Sequence, residues 1–316
     1  MKDQFNRTID YLRISVTDRC DFRCRYCMPE NGITKRRHAD ILTLEEIAEI
    51  ADAFIDLGIS KIRLTGGEPL VRKGIAELCR QLKSNYFLKE LALTTNGTLL
   101  PQYADILKNS GVDRLNISLD TLREDRFRSI TRVGNLRETL KGIEAAERAG
   151  FTGTKINTVL IGGFNDDEIT DLVGLTRDRD LTVRFIELMP IGEAARWPGT
   201  AFMDANVVTE LVPELKYLGS DGVAELYRLP GAVGTVGLIR PLSHSFCGAC
   251  SRIRLTADGM LKPCLHSDLE IPLRGLHGEK LISALKDGIC RKPARHYIDR
   301  DGVSGTEKRL MSEIGG

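Results

Sequence analysis

From residue 10 to about residue 188, short runs rich in β-branched residues alternate with longer stretches of helical period. The runs at residues 11–16, 61–65, 90–95, 113–119, 154–161 and 182–188 predict six strands. Repeated strand-helix units put parallel strands side by side with helices packed outside them. Six units fall short of the eight that close a barrel, so the expected fold is α/β, an incomplete (β/α)6 barrel. The intervening helices have legible ends. Thr43 with Glu46 three residues on makes a capping box, Ile47, Ala51, Phe54 and Ile55 share one face, and Gly58 suits a left-handed C-terminal cap. Helices are also expected over residues 135–149, closed by Gly150, and 166–177, where acidic residues complement the N-terminus. After Pro190 the alternation stops. IGEAARWPGT reads as a linker, followed by a short helix, hairpin-like segments and a last helix near residues 280–289. Two domains are expected, residues 1–198 as the partial barrel and 199–316 as a smaller C-terminal α+β domain.

At 316 residues and 42% apolar, the chain can bury a large core. Lysine plus arginine number 45 against 44 aspartate plus glutamate, a net charge of +1. Such a balance supplies no global field to draw nucleic acid or anionic membrane, so an anionic ligand must be held by locally placed cations. The first twenty residues lack the apolar core of a signal peptide, and no run is apolar enough for a membrane span; a cytoplasmic location is expected. Of eight cysteines, six fall into two tight groups. In a reducing compartment clustered thiols point to metal rather than disulfides. Cys79 and Cys290, each alone, read as ordinary buried thiols.

Cys20, Cys24 and Cys27 form C-x3-C-x2-C in the loop after the first strand, where barrels of this type carry functional groups. Four cysteines ordinarily hold an iron-sulfur cluster, so three leave one iron open to an outside ligand. Structural zinc is the alternative, although it closes its tetrahedron with a fourth ligand and the nearest histidine, His38, is distant in sequence.

TDRCDFRCRYCMPENG resembles the signature of the radical S-adenosylmethionine superfamily, and Gly66-Gly67-Glu68-Pro69 after the second strand matches its GGEP motif. The resemblance implies that the open iron of a [4Fe-4S] cluster chelates the methionyl amino and carboxyl groups of S-adenosylmethionine. It also implies that Gly66, Gly67 and Glu68 meet the amino group, and that the backbone at Tyr26 approaches the adenine. For the Tyr26 side chain, packing beneath the loop is an equal reading.

Cys247, Cys250 and Cys264 form a second trio around SRIRLTADGMLKPC, which reads as strand, Asp-Gly turn and return strand. By spacing alone, zinc with His244 or His266 as fourth ligand is as good a reading as a cluster. Arg252 and Arg254 alternate on the first of these strands and so leave one face together. Two guanidiniums on one face suit an anion such as phosphate, although for an arbitrary pair a solvated charged strand is the preferred reading.

FCGACSRIRLTADGMLKPCL, with KIRLTGGEP, LTTNG, NISLD, KINTVLI, RFIELMP and the terminal MSEIGG, is similar to the GTP 3′,8-cyclase family of molybdenum-cofactor biosynthesis over nearly the whole chain. That resemblance implies two [4Fe-4S] clusters, with GTP between them. Arg13, Arg63, Thr94, Lys155, Arg252 and Arg254 would contact GTP, while Gly67, Ser118 and Met189 would line the S-adenosylmethionine site. It implies that the tail, Gly315-Gly316, reaches the active site near Arg13 and is needed for activity, where composition alone would give a frayed end. It further implies a 5′-deoxyadenosyl radical that takes hydrogen from the ribose C3′ of GTP, closure onto guanine C8, and 3′,8-cyclo-7,8-dihydro-GTP as product. A reduced electron donor, a downstream cyclic pyranopterin monophosphate synthase and a homodimer complete the implied partners. Ser251 and Met260 depart from the family's asparagine and lysine. A peptide-modifying radical enzyme would carry more auxiliary cysteines and a leader-binding module, and a non-catalytic zinc protein would use both trios for stability.

Overall fold

The computed structural model of the chain describes residues 1–34, 36–296, 298 and 309–315. Six strands lie side by side in chain order, each parallel to the next: β1 (Tyr11–Ser15), β2 (Lys61–Thr65), β3 (Glu90–Thr95), β4 (Arg114–Ser118), β5 (Thr154–Leu160) and β6 (Leu181–Glu187). The crossovers carry α1 (Leu44–Asp56), α2 (Ile75–Lys83), α3 (Leu100–Asn109), α4 (Glu124–Thr131) with α5 (Leu136–Arg148), and α6 (Ile169–Gly174). Helix α1 opens on the expected box: Glu46 N donates to Thr43 Oγ1 at 3.1 Å and Thr43 N to Glu46 Oε2 at 2.7 Å. The helix expected over residues 166–177 is shorter, because Asp166–Glu168 form a 3-10 turn before α6. Glu168 accounts for this: its buried carboxylate accepts from Thr121 Oγ1 and Leu122 N, each at 2.7 Å, and ties that turn to the end of β4.

The strands divide their residues by the two-residue period of extended chain. Leu12, Ile14, Ile62, Leu64, Leu91, Leu93, Leu115, Ile117 and Ile156 are fully buried in one core with the helix residues Ile47, Phe54, Leu78, Leu107 and Ile143. Most of the alternate positions are polar. Tyr11, Arg13, Lys61, Arg63, Thr94, Ser118, Lys155, Asn157 and Arg184 all face one cavity. A barrel strand normally fills the interior with branched apolar side chains; here the interior is left for a ligand.

The rest of the chain extends this sheet at both edges. After α7 (Val207–Leu211), β7 (Lys216–Asp221), β8 (Ala224–Arg228) and β9 (Thr235–Ile239) form an antiparallel run, and β9 pairs parallel with β6. At the other edge β10 (Arg252–Leu255) pairs parallel with β1, and β11 (Met260–Lys262) and β12 (Ile271–Pro272) follow antiparallel. Gly259 at φ +84 makes the Asp-Gly turn between β10 and β11. Among the described residues the sheet order is β12-β11-β10-β1-β2-β3-β4-β5-β6-β9-β8-β7. Helix α8 (Gly278–Cys290) packs on α1 and β11, and a last turn, α9 (Met311–Ile314), follows. Cys79 is buried as expected, whereas Cys290 is exposed, since the closing turn of α8 buries the neighbouring Ile289 instead. No helix among the described residues is long and apolar enough to cross a membrane.

Candidate active site

The first cysteine loop is held from three sides. Arg23 N and Arg25 N donate to Thr131 O and Ile130 O at 3.0 and 2.9 Å, pairing the loop with the end of α4. Asp21 accepts from Asn96 Nδ2 at 2.6 Å and Thr98 Oγ1 at 2.9 Å, so the residues after β3 brace the loop. Tyr26 Oη donates to Asp120 Oδ2 at 2.8 Å, which binds the aromatic to the end of β4. Two of the motifs read as family signatures, LTTNG and NISLD, thereby acquire a mechanical role. Cys20, Cys24 and Cys27 face the cavity, and burial drives their thiols up, Cys27 to about 12. Bare thiols in such a place stay protonated; metal binding replaces the protons.

The glycines of GGEP are forced by close approach. A Cβ at Gly67 would lie 2.2 Å from Arg19 O, and one at Gly66 would lie 2.5 Å from Thr17 O at a φ of +155. The loop therefore lies directly on the backbone leading into the cysteines. Glu68 is 1% exposed and accepts from Leu70 N at 3.0 Å, Thr95 Oγ1 at 2.8 Å and Asn96 N at 2.7 Å. Burial raises its carboxyl to about 7. Ser118 and Met189 line the same cavity. Three thiols, a glycine cradle and cavity-facing polar groups fit a cluster with its cosubstrate.

Cys247, Cys250 and Cys264 line that cavity too, and so does His266. The His266 and His296 rings lie 4.7 Å apart between centroids, tilted by 48°, and burial with nearby His296 and Arg254 lowers His266 to about 3. Burial raises the Cys247 thiol, but hydrogen bonding to His296 and Ser245 outweighs it and brings the thiol to about 6. Ser251, the departure from the family pattern, accepts from Tyr11 N through its carbonyl at 3.2 Å, a bond open to any residue.

Six of the cations that line this cavity are Arg13, Arg63, Lys155, Arg184, Arg252 and Arg254. Arg254, Arg13 and Arg63 occupy one register row across β10, β1 and β2, with Arg252 beside Tyr11 in the row below. Lys155 and Arg184 come from β5 and β6. Burial and mutual repulsion lower the pKa of Arg13, Arg184 and Arg254, the last two to about 10. The rings of Tyr11 and Phe246 each lie within 6 Å of the Arg252 guanidinium, at 5.8 and 5.7 Å. Arg184 and Tyr11 had no role in the sequence reading. Their signal was the alternation itself, since T-x-R and Y-x-R aim the same way as the assigned residues. Tyr11 Oη, Arg63 Nε, Thr94 Oγ1 and Asn157 Oδ1 are buried without hydrogen-bond partners, all facing the cavity of about 660 Å³. Buried polar groups of this kind call for a ligand that completes them.

The tail enters the same space. Arg254 Nη1 donates to Gly315 O, and Gly315 takes φ +80 where a Cβ would lie 2.3 Å from Thr65 Oγ1 and 3.1 Å from Ser15 Cβ. Only glycine fits between β1 and β2 there. Gly316 lies outside the described residues.

Fold and three-cysteine loop together define a radical S-adenosylmethionine enzyme. Residues 14–176 match the Radical SAM superfamily model and residues 181–298 the model for Molybdenum Cofactor Synthesis C. The chain belongs to the GTP 3′,8-cyclase family. It is 53% identical to the GTP 3′,8-cyclase of Peptoclostridium acidaminophilum over 99% of this chain and 98% of that one. It is 50% identical to that of Alkaliphilus metalliredigens over the full length of both. Among solved structures, Streptococcus suis SuiB bound to S-adenosylmethionine shares the fold at a TM-score of 0.60 and 16% identity, covering 89% of this chain. This chain spans 65% of that one, just under two thirds. Coproporphyrinogen III oxidase from Escherichia coli, a radical SAM enzyme, aligns at 0.51 and 16% identity over 71% of this chain and 56% of that one.

Proposed function

We propose that the chain joins the ribose C3′ of GTP, after loss of its hydrogen atom to the 5′-deoxyadenosyl radical, to C8 of the guanine, and that one electron from a reduced donor and one proton then quench the guanine radical, giving 3′,8-cyclo-7,8-dihydro-GTP in molybdenum-cofactor biosynthesis. One observation carries the reading: cations from five strands and both cysteine trios face a single cavity of about 660 Å³. When bound to Cys20, Cys24 and Cys27, a [4Fe-4S] cluster supplies the electron that splits S-adenosylmethionine and furnishes the 5′-deoxyadenosyl radical. Gly66, Gly67 and Glu68, with Tyr26, Ser118 and Met189, hold the cosubstrate against that trio. Cys247, Cys250 and Cys264 would hold a second [4Fe-4S] cluster, which would supply an open iron to bind the base.

Arg13, Arg63, Lys155, Arg252 and Arg254, joined by Arg184, bind the triphosphate, and Thr94 completes the nucleotide contacts. A multiply charged anion relieves the repulsion among these buried cations, which is why the site prefers a triphosphate. Fixing both ends of the nucleotide orients C3′ toward C8, and orientation is the protein's main lever on such a ring closure. Arg13 and the tail at Gly315 close the site beside the ribose. Residues 1–198 form the partial barrel that would hold the first cluster, residues 199–316 form the domain that would hold the second, and both contribute contacts to GTP. The enzyme works in the cytoplasm as a homodimer, takes electrons from a reduced donor, and passes its product to cyclic pyranopterin monophosphate synthase.

The test is anaerobic incubation of reconstituted enzyme with GTP, S-adenosylmethionine and a low-potential reductant, followed by mass spectrometry. Deoxyadenosine and cyclised nucleotide should form in step, and both should vanish in Cys24→Ala. Deoxyadenosine without a nucleotide product would move the substrate elsewhere, and zinc without labile sulfide would overturn the cluster assignment.

A further inference from the structure

The Arg309 guanidinium sits between two carboxylates of the β10–β12 meander. Arg309 Nε and Nη2 donate to Glu270 Oε1 and Oε2 at 2.5 and 2.6 Å, and Nη1 and Nη2 donate to Asp258 Oδ1 and Oδ2 at 3.0 and 3.1 Å. The Arg309 side chain is 16% exposed, and Asp258 and Glu270 are 14% and 18% exposed. Both carboxylates are themselves fixed: Thr256 Oγ1 donates to Asp258 at 2.6 Å and Lys262 Nζ to Glu270 at 3.2 Å. A planar fork bound on two edges sets position and orientation together, which an ammonium cannot do.

From this point the tail has little slack. Leu310 N donates to Glu313 Oε2 at 3.0 Å, and Arg36 reaches both Asp258 at 3.1 Å and Glu313 at 3.4 Å. Ile314 is buried with Ile191 and Ile298, and Gly315 O then meets Arg254. Asp258 lies in the turn that follows the strand carrying Arg254. One meander therefore holds both the start of the tail and the cation its end must reach.

We propose that Arg309, clamped by Asp258 and Glu270, is a positioning residue that sets the register of the C-terminal tail and so delivers Gly315 to Arg254. The inference rests on the tail acting in the reaction, as proposed above. Arg309 touches neither substrate nor cofactor; it acts through Gly315.

The experiment compares Arg309→Gln, Arg309→Lys, Gly315→Ala and the double variant Arg309→Gln/Gly315→Ala as reconstituted holoenzymes. The readouts are iron content, GTP binding, cyclised product per deoxyadenosine, and hydrogen exchange over residues 309–315. Arg309→Gln and Arg309→Lys should keep full iron and bind GTP within threefold of the parent, yet lose tenfold or more in product per deoxyadenosine and lose protection of the tail. The double variant should be no worse than Gly315→Ala alone. Unchanged coupling in both Arg309 variants while Gly315→Ala is impaired overturns the clamp and leaves the tail's role standing. Unchanged coupling in Gly315→Ala removes that role and the clamp with it. Multiplicative losses in the double variant would also overturn it. If Arg309→Gln does not fold, Asp258→Asn, which loosens one edge of the fork, carries the same expectations.

Discussion

Lys155 Nζ donates to Asp221 Oδ2 at 2.6 Å, tying β5 to the end of β7 and setting a carboxylate against the cavity's cations. Lys155 is largely buried, at 9% side-chain exposure, while Asp221 is 48% exposed. A triphosphate that engages Lys155 meets this carboxylate as a competitor. Asp221→Asn should therefore tighten GTP binding by roughly two- to fivefold, the scale of a half-exposed ion pair. Equilibrium binding of GTP to the reconstituted enzyme measures it. Weaker binding in Asp221→Asn would mean that Asp221 positions Lys155 instead of competing for it.

Arg184 should matter for the phosphates more than for the base. Arg184→Gln is expected to weaken GTP binding about tenfold, as for a lost charged hydrogen bond, and to leave guanosine binding nearly unchanged. Binding isotherms for GTP, GMP and guanosine separate the terms; equal losses for all three would assign Arg184 to general packing.

Each cysteine trio should hold its own iron. The parent enzyme should bind about eight irons, and Cys24→Ala and Cys250→Ala about four each. Only Cys250→Ala should still cleave S-adenosylmethionine. Iron and sulfide analysis with deoxyadenosine quantification decides this, and a parent enzyme with four irons would remove the second cluster.

Glu68 gives the stability of the apoprotein a definite pH slope. Its carboxyl is raised from 4.5 to about 7, chiefly by burial. Between these values the folded state holds a proton that the unfolded state has released, so this contribution is complete below about 4.5 and is lost as pH rises through about 7. Glu68→Gln should flatten the stability profile over that window, by roughly 2–3 kcal/mol end to end. Denaturant titrations at a series of pH values test it; an unchanged slope would assign the dependence to other groups.

The sequence by itself determined the parallel strands, the capping of α1 and the membership of each cysteine trio, because these follow from periodicity and spacing along one segment of chain. It also carried Arg13, Arg63, Lys155, Arg252 and Arg254 as candidate ligands through family resemblance. Tertiary structure alone decided how they share a site. Arg254, Arg13 and Arg63 form one row only because β10 pairs parallel with β1, a contact between residues far apart in the chain. Composition led to an expected boundary near residue 199, yet β9 and β10 from beyond it complete the same sheet, since hydrogen-bonding edges left open by six strands must be covered. The helix expected to Arg177 stops at Gly174, and Glu168 supplies the tie that shortens its start, a side-chain bond that helical period does not encode. Arg184, Asp221 and Arg309 stayed silent for the same reason: a charged residue means little until the fold places another charge beside it.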